Sequence, residues 1–151
     1  MCGIFGYIGH RNASSLLVKG LLRLEYRGYD SSGIVVKNGQ LESYKDIGKI
    51  SDMASSLPTL KGSIGIAHTR WATHGGVTKE NAHPHLSNDG NVAIVHNGIL
   101  QNSNSLRKRL VDLGIELNSE TDSEVFCHFI SMDLEQGLSL IHISEPTRPV
   151  L

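Results

Sequence analysis

Met1-Cys2-Gly3-Ile4-Phe5-Gly6-Tyr7-Ile8 opens the chain, and the reading of its second residue decides how the rest is understood. The small side chain of Cys2 permits removal of Met1, which would leave a thiol and a free α-amine on one residue. An α-amine titrates near pH ~8 and a thiol near ~8.5, so the two can exchange a proton close to neutrality. A nucleophile served by an N-terminal amine is an established catalytic pair. On position alone, Cys2 is more simply the second residue of a buried first strand. The decision between these readings falls to residues further along.

Residues 2–8 are apolar and short enough for a strand. Asn12 can cap a helix whose stripe is Ala13, Leu16, Leu17, Gly20, Leu21 and Leu24, ending near Tyr26-Arg27-Gly28. Asn38-Gly39 between two apolar runs predicts a hairpin. Ile50, Met53, Ala54 and Leu57 predict a short helix stopped by Pro58. A strand follows over 63–68, then a long polar loop over 69–91, then a buried strand over 92–95. So long a loop in a compact domain is expected to be functional. Leu106, Leu110 and Leu113 predict a helix closed by Gly114, with Arg107, Lys108 and Arg109 on its solvated face. Thr121 and Glu124 have the spacing of a capping box at the start of a last helix. Cys127 and His128 read as packing residues within it.

The 151 residues fit one domain, with 39% hydrophobic and 19% charged residues. A net charge of -1 offers no electrostatic argument for nucleic acid or an anionic membrane. No apolar run approaches the ~18 residues of a membrane-spanning helix, and no basic, then apolar, leader opens the chain. These features favour a cytoplasmic location, in which a Cys2–Cys127 disulfide is not expected.

Chemistry concentrates after the strand at 63–68. In Thr69-Arg70-Trp71-Ala72-Thr73-His74-Gly75, Arg70 can clamp a carboxylate with its planar fork or pair with an internal one. Thr73 and His74 can add hydrogen bonds, and Trp71 can cover a ligand or pack. The histidines of Asn81-Ala82-His83-Pro84-His85, with His74 and His96, lack the spacing of a zinc site; ordering the loop is the better role for them. His96-Asn97-Gly98 is either a plain turn or a pair of donors, the Asn97 amide and the Gly98 N–H, aimed at one oxygen as an oxyanion hole requires. Asp122 can cap the last helix or hold an ammonium group. Taken together, these groups describe a substrate with a carboxylate, an ammonium and an amide open to attack: glutamine or asparagine.

The motifs Met1-Cys2-Gly3-Ile4, Arg23-Leu24-Glu25-Tyr26-Arg27-Gly28-Tyr29-Asp30-Ser31 and residues 68–75, 81–85, 95–99 and 120–124 carry a family resemblance. Over residues 1–137 the chain resembles the glutaminase (type 2 glutamine amidotransferase) domain of glutamine–fructose-6-phosphate aminotransferases (isomerizing), the glucosamine-6-phosphate synthases. The resemblance implies an α+β, four-layer αββα N-terminal-nucleophile hydrolase fold. It implies hydrolysis of L-glutamine to glutamate and ammonia through a Cys2 thioester, with the Cys2 α-amine as base. It also implies an oxyanion hole from Asn97 and Gly98. Arg70, helped by Thr73 and His74, would hold the glutamine carboxylate, and Asp122 its amine. Arg27 would lie near the nucleophile and Trp71 in a loop that closes over glutamine. No metal or organic cofactor is implied. Fructose 6-phosphate would be reached only through separate isomerase domains, in a full-length homo-oligomer. Another N-terminal-cysteine amidotransferase, of the amidophosphoribosyltransferase kind, is the alternative within the class; Thr-Arg-Trp-Ala-Thr-His-Gly argues against it. Gly76-Val77-Thr78 departs from the family's usual acidic residue, Pro and Ser or Thr.

Two features of length complete the expectations. Leu138-Ser139-Leu140-Ile141-His142-Ile143-Ser144-Glu145-Pro146-Thr147-Arg148 matches one reading frame of a transposase adapter used in sequencing libraries, so residues 138–151 read as not native. The family's domain is also longer. Residues 1–137 are therefore expected to form a truncated domain, with strands of the second sheet missing, and the isolated chain to fold poorly and work weakly. A non-catalytic fragment, or a binding module using His74, His83 and His85, is the remaining alternative.

Overall fold

The structure is a computed structural model that describes residues 1–73 and 75–139. Strand β1 (Gly3–Ile8) leads into α1 (Ala13–Leu24), capped by the Asn12 side chain, which accepts from Ser14 N. A 3-10 turn over Glu25–Arg27 and Gly28 at a φ of 78° end the helix. The hairpin β2 (Ser31–Asn38) and β3 (Gln40–Ile47) turns at Gly39. Then come α2 (Ile50–Ser56) and β4 (Ile64–Arg70). The four strands form one antiparallel sheet in the order β1-β4-β2-β3.

Alternation divides this sheet into two faces. Ile34, Val36 and Ala67 join Leu17 and Leu21 of α1 and Ile50 and Met53 of α2 in the main core. Full burial of each large aliphatic side chain there contributes about 1.5–3 kcal/mol. Helix α1 approaches closely because Gly20 leaves room for the Phe5 ring. The other face carries Gly33, Val35, Ile66, His68 and Arg70. Since Ile4 pairs with His68, the same alternation carried two residues back sets Cys2 on this second face.

That face meets a second layer. Strands β5 (His85–Leu86) and β6 (Ala93–Ile94) form a two-stranded antiparallel sheet. Helix α4 (Asp122–Glu135) packs on it, and α3 (Ser103–Asp112) packs on α4. The order is thus helix, sheet, sheet, helix, an α+β arrangement of four layers as expected, with the second sheet reduced to two short strands among the described residues. The two sheets flank an apolar cleft of about 500 Å3 lined by Val35, Ile64, Ile66, Ile94, Ile130 and Leu134.

Several local expectations need correction. The loop expected over 69–91 is shorter, because β4 runs to Arg70 and β5 lies within it. The strand expected over 92–95 is two residues long and half-buried, since only one partner strand pairs with it. Arg107 does not belong to a solvated face: its guanidinium donates to the carbonyls of Ser119 and Thr121, both at 2.9 Å. Leu113, expected on the apolar side of its helix, is exposed, as is Phe126 on the last helix. Thr121 caps α4 by accepting from Glu124 N, but the Glu124 carboxylate turns to Asn118 and Ser119 instead of closing the box. Residue 74 and the tail beyond residue 139 lie outside the described residues, so the structure bears on neither His74 nor most of the adapter reading.

Candidate active site

Strand β1 delivers Cys2 to the cleft mouth. Gly3 permits this approach, because a Cβ there would lie 2.8 Å from Leu24 and 2.9 Å from Thr69 Oγ1. Its N–H donates instead to Thr69 Oγ1 at 2.9 Å. Cys2 is half-buried and not in a disulfide. Its Sγ accepts from Trp71 N at 3.2 Å and lies 3.6 Å from Trp71 O, so main chain at the end of β4 holds the thiol. The Met1 α-amine donates to Arg27 O at 3.0 Å, and the Arg27 guanidinium reaches Met1 Sδ. Arg27 therefore stands beside the residue preceding Cys2. The Trp71 ring lies over Gly28, where a Cβ would sit 3.6 Å from Cζ3.

Across the cleft, Asn97 follows β6. Its amide Nδ2 donates to Cys2 O at 3.2 Å, and its Oδ1 lies 2.7 Å from His68 Nε2. Gly98 is exposed beside it, and a side chain there would meet His96 Nε2 at 2.9 Å. His96 is oriented in turn by a 3.1 Å contact between its Nδ1 and Ser123 Oγ on α4.

Arg70 is buried at the end of β4, with Nη1 donating to Gly76 O at 2.9 Å. Asn81 steadies the same loop: its Nδ2 donates to Gly76 O at 2.9 Å and its Oδ1 accepts Glu120 N at 2.8 Å. Asp122 is the first residue of α4, not its cap. Its Oδ2 accepts Leu100 N at 2.6 Å, tying α4 to the turn that carries Asn97 and Gly98.

Histidines fill the space between the sheets. His83 stacks on His68 with centroids 4.3 Å apart, and His85 tilts against His83 at 4.6 Å. Burial, with Asn97 partly opposing it and Arg70 adding to it, brings the His68 pKa down to about 4. Burial and then the Lys45 ammonium bring His85 to about 3. Burial pushes His83 further down still. These rings are neutral at pH 7. His85 Nε2 lies 2.7 Å from Thr121 Oγ1, so it braces the α4 cap. His83 and His85 thus order the interior, as preferred above, and are too buried to serve a histidine-rich binding surface. The described residues contain no group of three or more His, Cys, Asp or Glu arranged for a metal.

One cleft of about 40 Å3 is lined by Cys2, Arg70, Trp71, Thr73, Asn97, Gly98 and Asp122. All the site residues expected from sequence meet there, apart from His74 and the adjacent Arg27. His68 and Ser123 line it too, and sequence reasoning assigned them no part; His96, expected only to order the loop, lines it as well. His68 had a legible signal: two residues before Arg70 on a strand, it must share that residue's face.

A thiol on the residue that leads into the first strand, two facing sheets and outer helices define an N-terminal-nucleophile hydrolase fold. Two solved structures share it: a glutamine phosphoribosylpyrophosphate amidotransferase from B. subtilis, with a TM-score of 0.72 and 32% identity over 87% of this chain and 29% of that one; and an allosteric regulatory enzyme of purine biosynthesis, with a TM-score of 0.74 and 34% identity over the same shares. Residues 51–141 match the family described as glutamine amidotransferase domain, and the chain belongs to that family. Among curated proteins it is similar to the glutamine–fructose-6-phosphate aminotransferases (isomerizing) of Shewanella oneidensis, 47% identical over 97% of this chain and 24% of that protein, and Methanosarcina mazei, 50% identical over 86% and 22%. The chain spans about a quarter of the length of these relatives.

Proposed function

We propose that the chain is the glutaminase part of a glutamine–fructose-6-phosphate aminotransferase and hydrolyses L-glutamine with Cys2 as nucleophile. The observation that carries this reading is the meeting of Cys2 with the Asn97 amide, 95 positions apart in sequence. Once Met1 is removed, the Cys2 α-amine takes the thiol proton. The thiolate attacks the side-chain amide carbon, and the developing oxyanion is held by Asn97 Nδ2–H and Gly98 N–H. Collapse breaks the C–N bond; the ammonium returns its proton to the leaving nitrogen, and ammonia departs from a thioester. Water then attacks the thioester and releases glutamate, restoring the thiol. Arg70, with Thr73 and His74, holds the substrate carboxylate, Asp122 its ammonium, and Arg27 and Trp71 border the nucleophile.

Delivery of ammonia to fructose 6-phosphate through further domains, homo-oligomeric assembly and a cytoplasmic location belong to the same reading. So does the division of the chain into an amidotransferase portion over 1–137 and a non-native tail over 138–151. The aminosugar reading is favoured over the amidophosphoribosyltransferase one by the 47–50% identity of the curated relatives above, against 32–34% for the solved structures. The test is glutamate release from glutamine by protein whose intact mass shows loss of Met1. Activity is expected to vanish in Cys2→Ala and persist in Cys127→Ala; undiminished turnover in Cys2→Ala would overturn the reading.

A further inference from the structure

We infer that His68 is a positioning residue for the Asn97 amide: as the Nε2–H tautomer it donates to Asn97 Oδ1 and so turns Nδ2 toward the reacting oxygen. This inference rests on the glutaminase reading for its catalytic consequence, but not for its geometry.

An amide side chain has two orientations that differ only by exchanging oxygen and nitrogen. In the orientation present, Nδ2 donates to Cys2 O at 3.2 Å. The exchanged orientation would set Oδ1 against that carbonyl, acceptor against acceptor. It would also demand an Nε2 lone pair on His68 and therefore a proton on Nδ1. His68 Nδ1 is buried and has no hydrogen-bond partner among the described residues. Nδ1 goes unsatisfied in either tautomer and so does not choose between them. The Cys2 carbonyl does, because it can accept only from Nδ2, which leaves Oδ1 facing His68 and requires the ring proton on Nε2. The second Nδ2 hydrogen is then available to the cleft, because Asn97 itself is exposed.

The ring is held for this task from behind. His83 stacks on it at an interplanar angle of 18°. The space for His83 exists because Gly33, the strand partner of His68, has no side chain. Burial first, and then Arg70 and His96, keep His68 neutral against the opposing Asn97 hydrogen bond, so one nitrogen alone carries the proton. His83, stacked on the ring, is the other titratable group against it.

The test pairs kinetics with spectroscopy on the full chain. His68→Leu removes the donor and is expected to lower kcat for glutamate release about 10-fold, part of the ~10²–10³ that loss of an oxyanion donor costs. KM for glutamine should move less than twofold. His68→Gln, whose amide nitrogen can replace Nε2–H, should recover most of the loss. In an Asn97→Ala background His68→Leu should have no further effect, as expected of two residues acting through one interaction. Equal losses in both backgrounds, or a change confined to KM, would overturn the assignment. Histidine 15N shifts at pH 7 read the tautomer without any activity: Nε2–H is expected, and Nδ1–H would overturn it. Failure of the glutaminase reading would be seen separately, as no glutamine turnover by the unsubstituted protein.

Discussion

The carbonyl oxygen of His83 lies 2.2 Å from where a Cβ on Gly33 would stand. The absent side chain lets the 83–85 segment reach the central sheet and lets His83 stack on His68. Backbone cannot yield as a flexible side chain can. Gly33→Ala is therefore expected to destabilise the protein by about 1–3 kcal/mol, the usual cost of overpacking, read as a lowered thermal midpoint. A neutral result would mean that the 83–85 segment is not seated there.

Acid should loosen the same region before ordinary carboxylate titration begins. His68 and His85 have folded-state pKa values of about 4 and 3, below the ordinary 6.5, and His83 is lowered in the same direction. The unfolded chain thus binds protons that the folded chain refuses. Stability is complete above pH 6.5 and falls as pH drops toward the folded values. Each histidine contributes a slope of about 1.4 kcal/mol per pH unit in that window. Thermal midpoints between pH 7 and 4.5 should decline steeply, and His85→Gln should flatten the decline. A flat profile in unsubstituted protein would contradict the burial of these rings.

Glu124 acts over a lower window. Burial opposes its ionisation, but His128, the Ser119 hydroxyl and the N–H groups of Asn118 and Ser119 outweigh it, bringing its pKa to about 2 from 4.5. Its stabilisation is present above pH 4.5 and lost as pH falls toward 2. In Glu124→Gln an NH2 group would face donors on one side of the amide. A loss of roughly 2–4 kcal/mol is expected, as for one partner removed from a buried charged network, measurable by urea denaturation. An unchanged midpoint would argue that the 118–119 turn is held otherwise.

Asp122 links helix α4 to the turn after β6 through Leu100 N at 2.6 Å. Asp122→Ala should leave that N–H unpaired, costing about 1–3 kcal/mol. Under the glutaminase reading it should also raise KM for glutamine, because the ammonium loses its partner. Asp122→Asn keeps an acceptor for Leu100, so its stability should recover while KM stays high. Recovery of both in Asp122→Asn would assign the residue to structure alone.

The apolar cleft between the sheets predicts a further behaviour of the 151-residue chain. Val35, Ile66, Ile94, Ile130 and Leu134 line open space of about 500 Å3. An amphipathic dye whose fluorescence rises in apolar surroundings should bind there under native conditions. Ile66→Asp should abolish that binding. Dye fluorescence at the level of a buffer blank would show the cleft closed in solution.

Much of the architecture was legible because local chemistry governs it. Asn12 caps α1, Gly39 turns the hairpin, and Gly114 ends α3 with a φ of 80°; each needs only its neighbours in sequence. Strands β5 and β6 were harder to read. Two residues long, they exist through pairing with each other and packing on α4, and neither has enough periodicity to show alone. Phe126 stands exposed on the last helix, because burial there depends on where β5 and β6 lie.

The sequence by itself determined the kinds of groups at the site: a thiol able to sit beside an α-amine, an amide next to a glycine, a guanidinium at a strand end and a carboxylate at a helix start. Residue chemistry and short spacing suffice for that. Only the tertiary structure decided that these groups share one cleft, that Arg27 stands against Met1, and that a buried, neutral His68 lies behind Asn97. Contacts between residues 68 and 97, or 2 and 97, arise from strand alternation and the stacking of two sheets, and no local pattern encodes them. Which way the Asn97 amide turns is settled at that level alone, by the carbonyl of Cys2 on one side and the ring of His68 on the other.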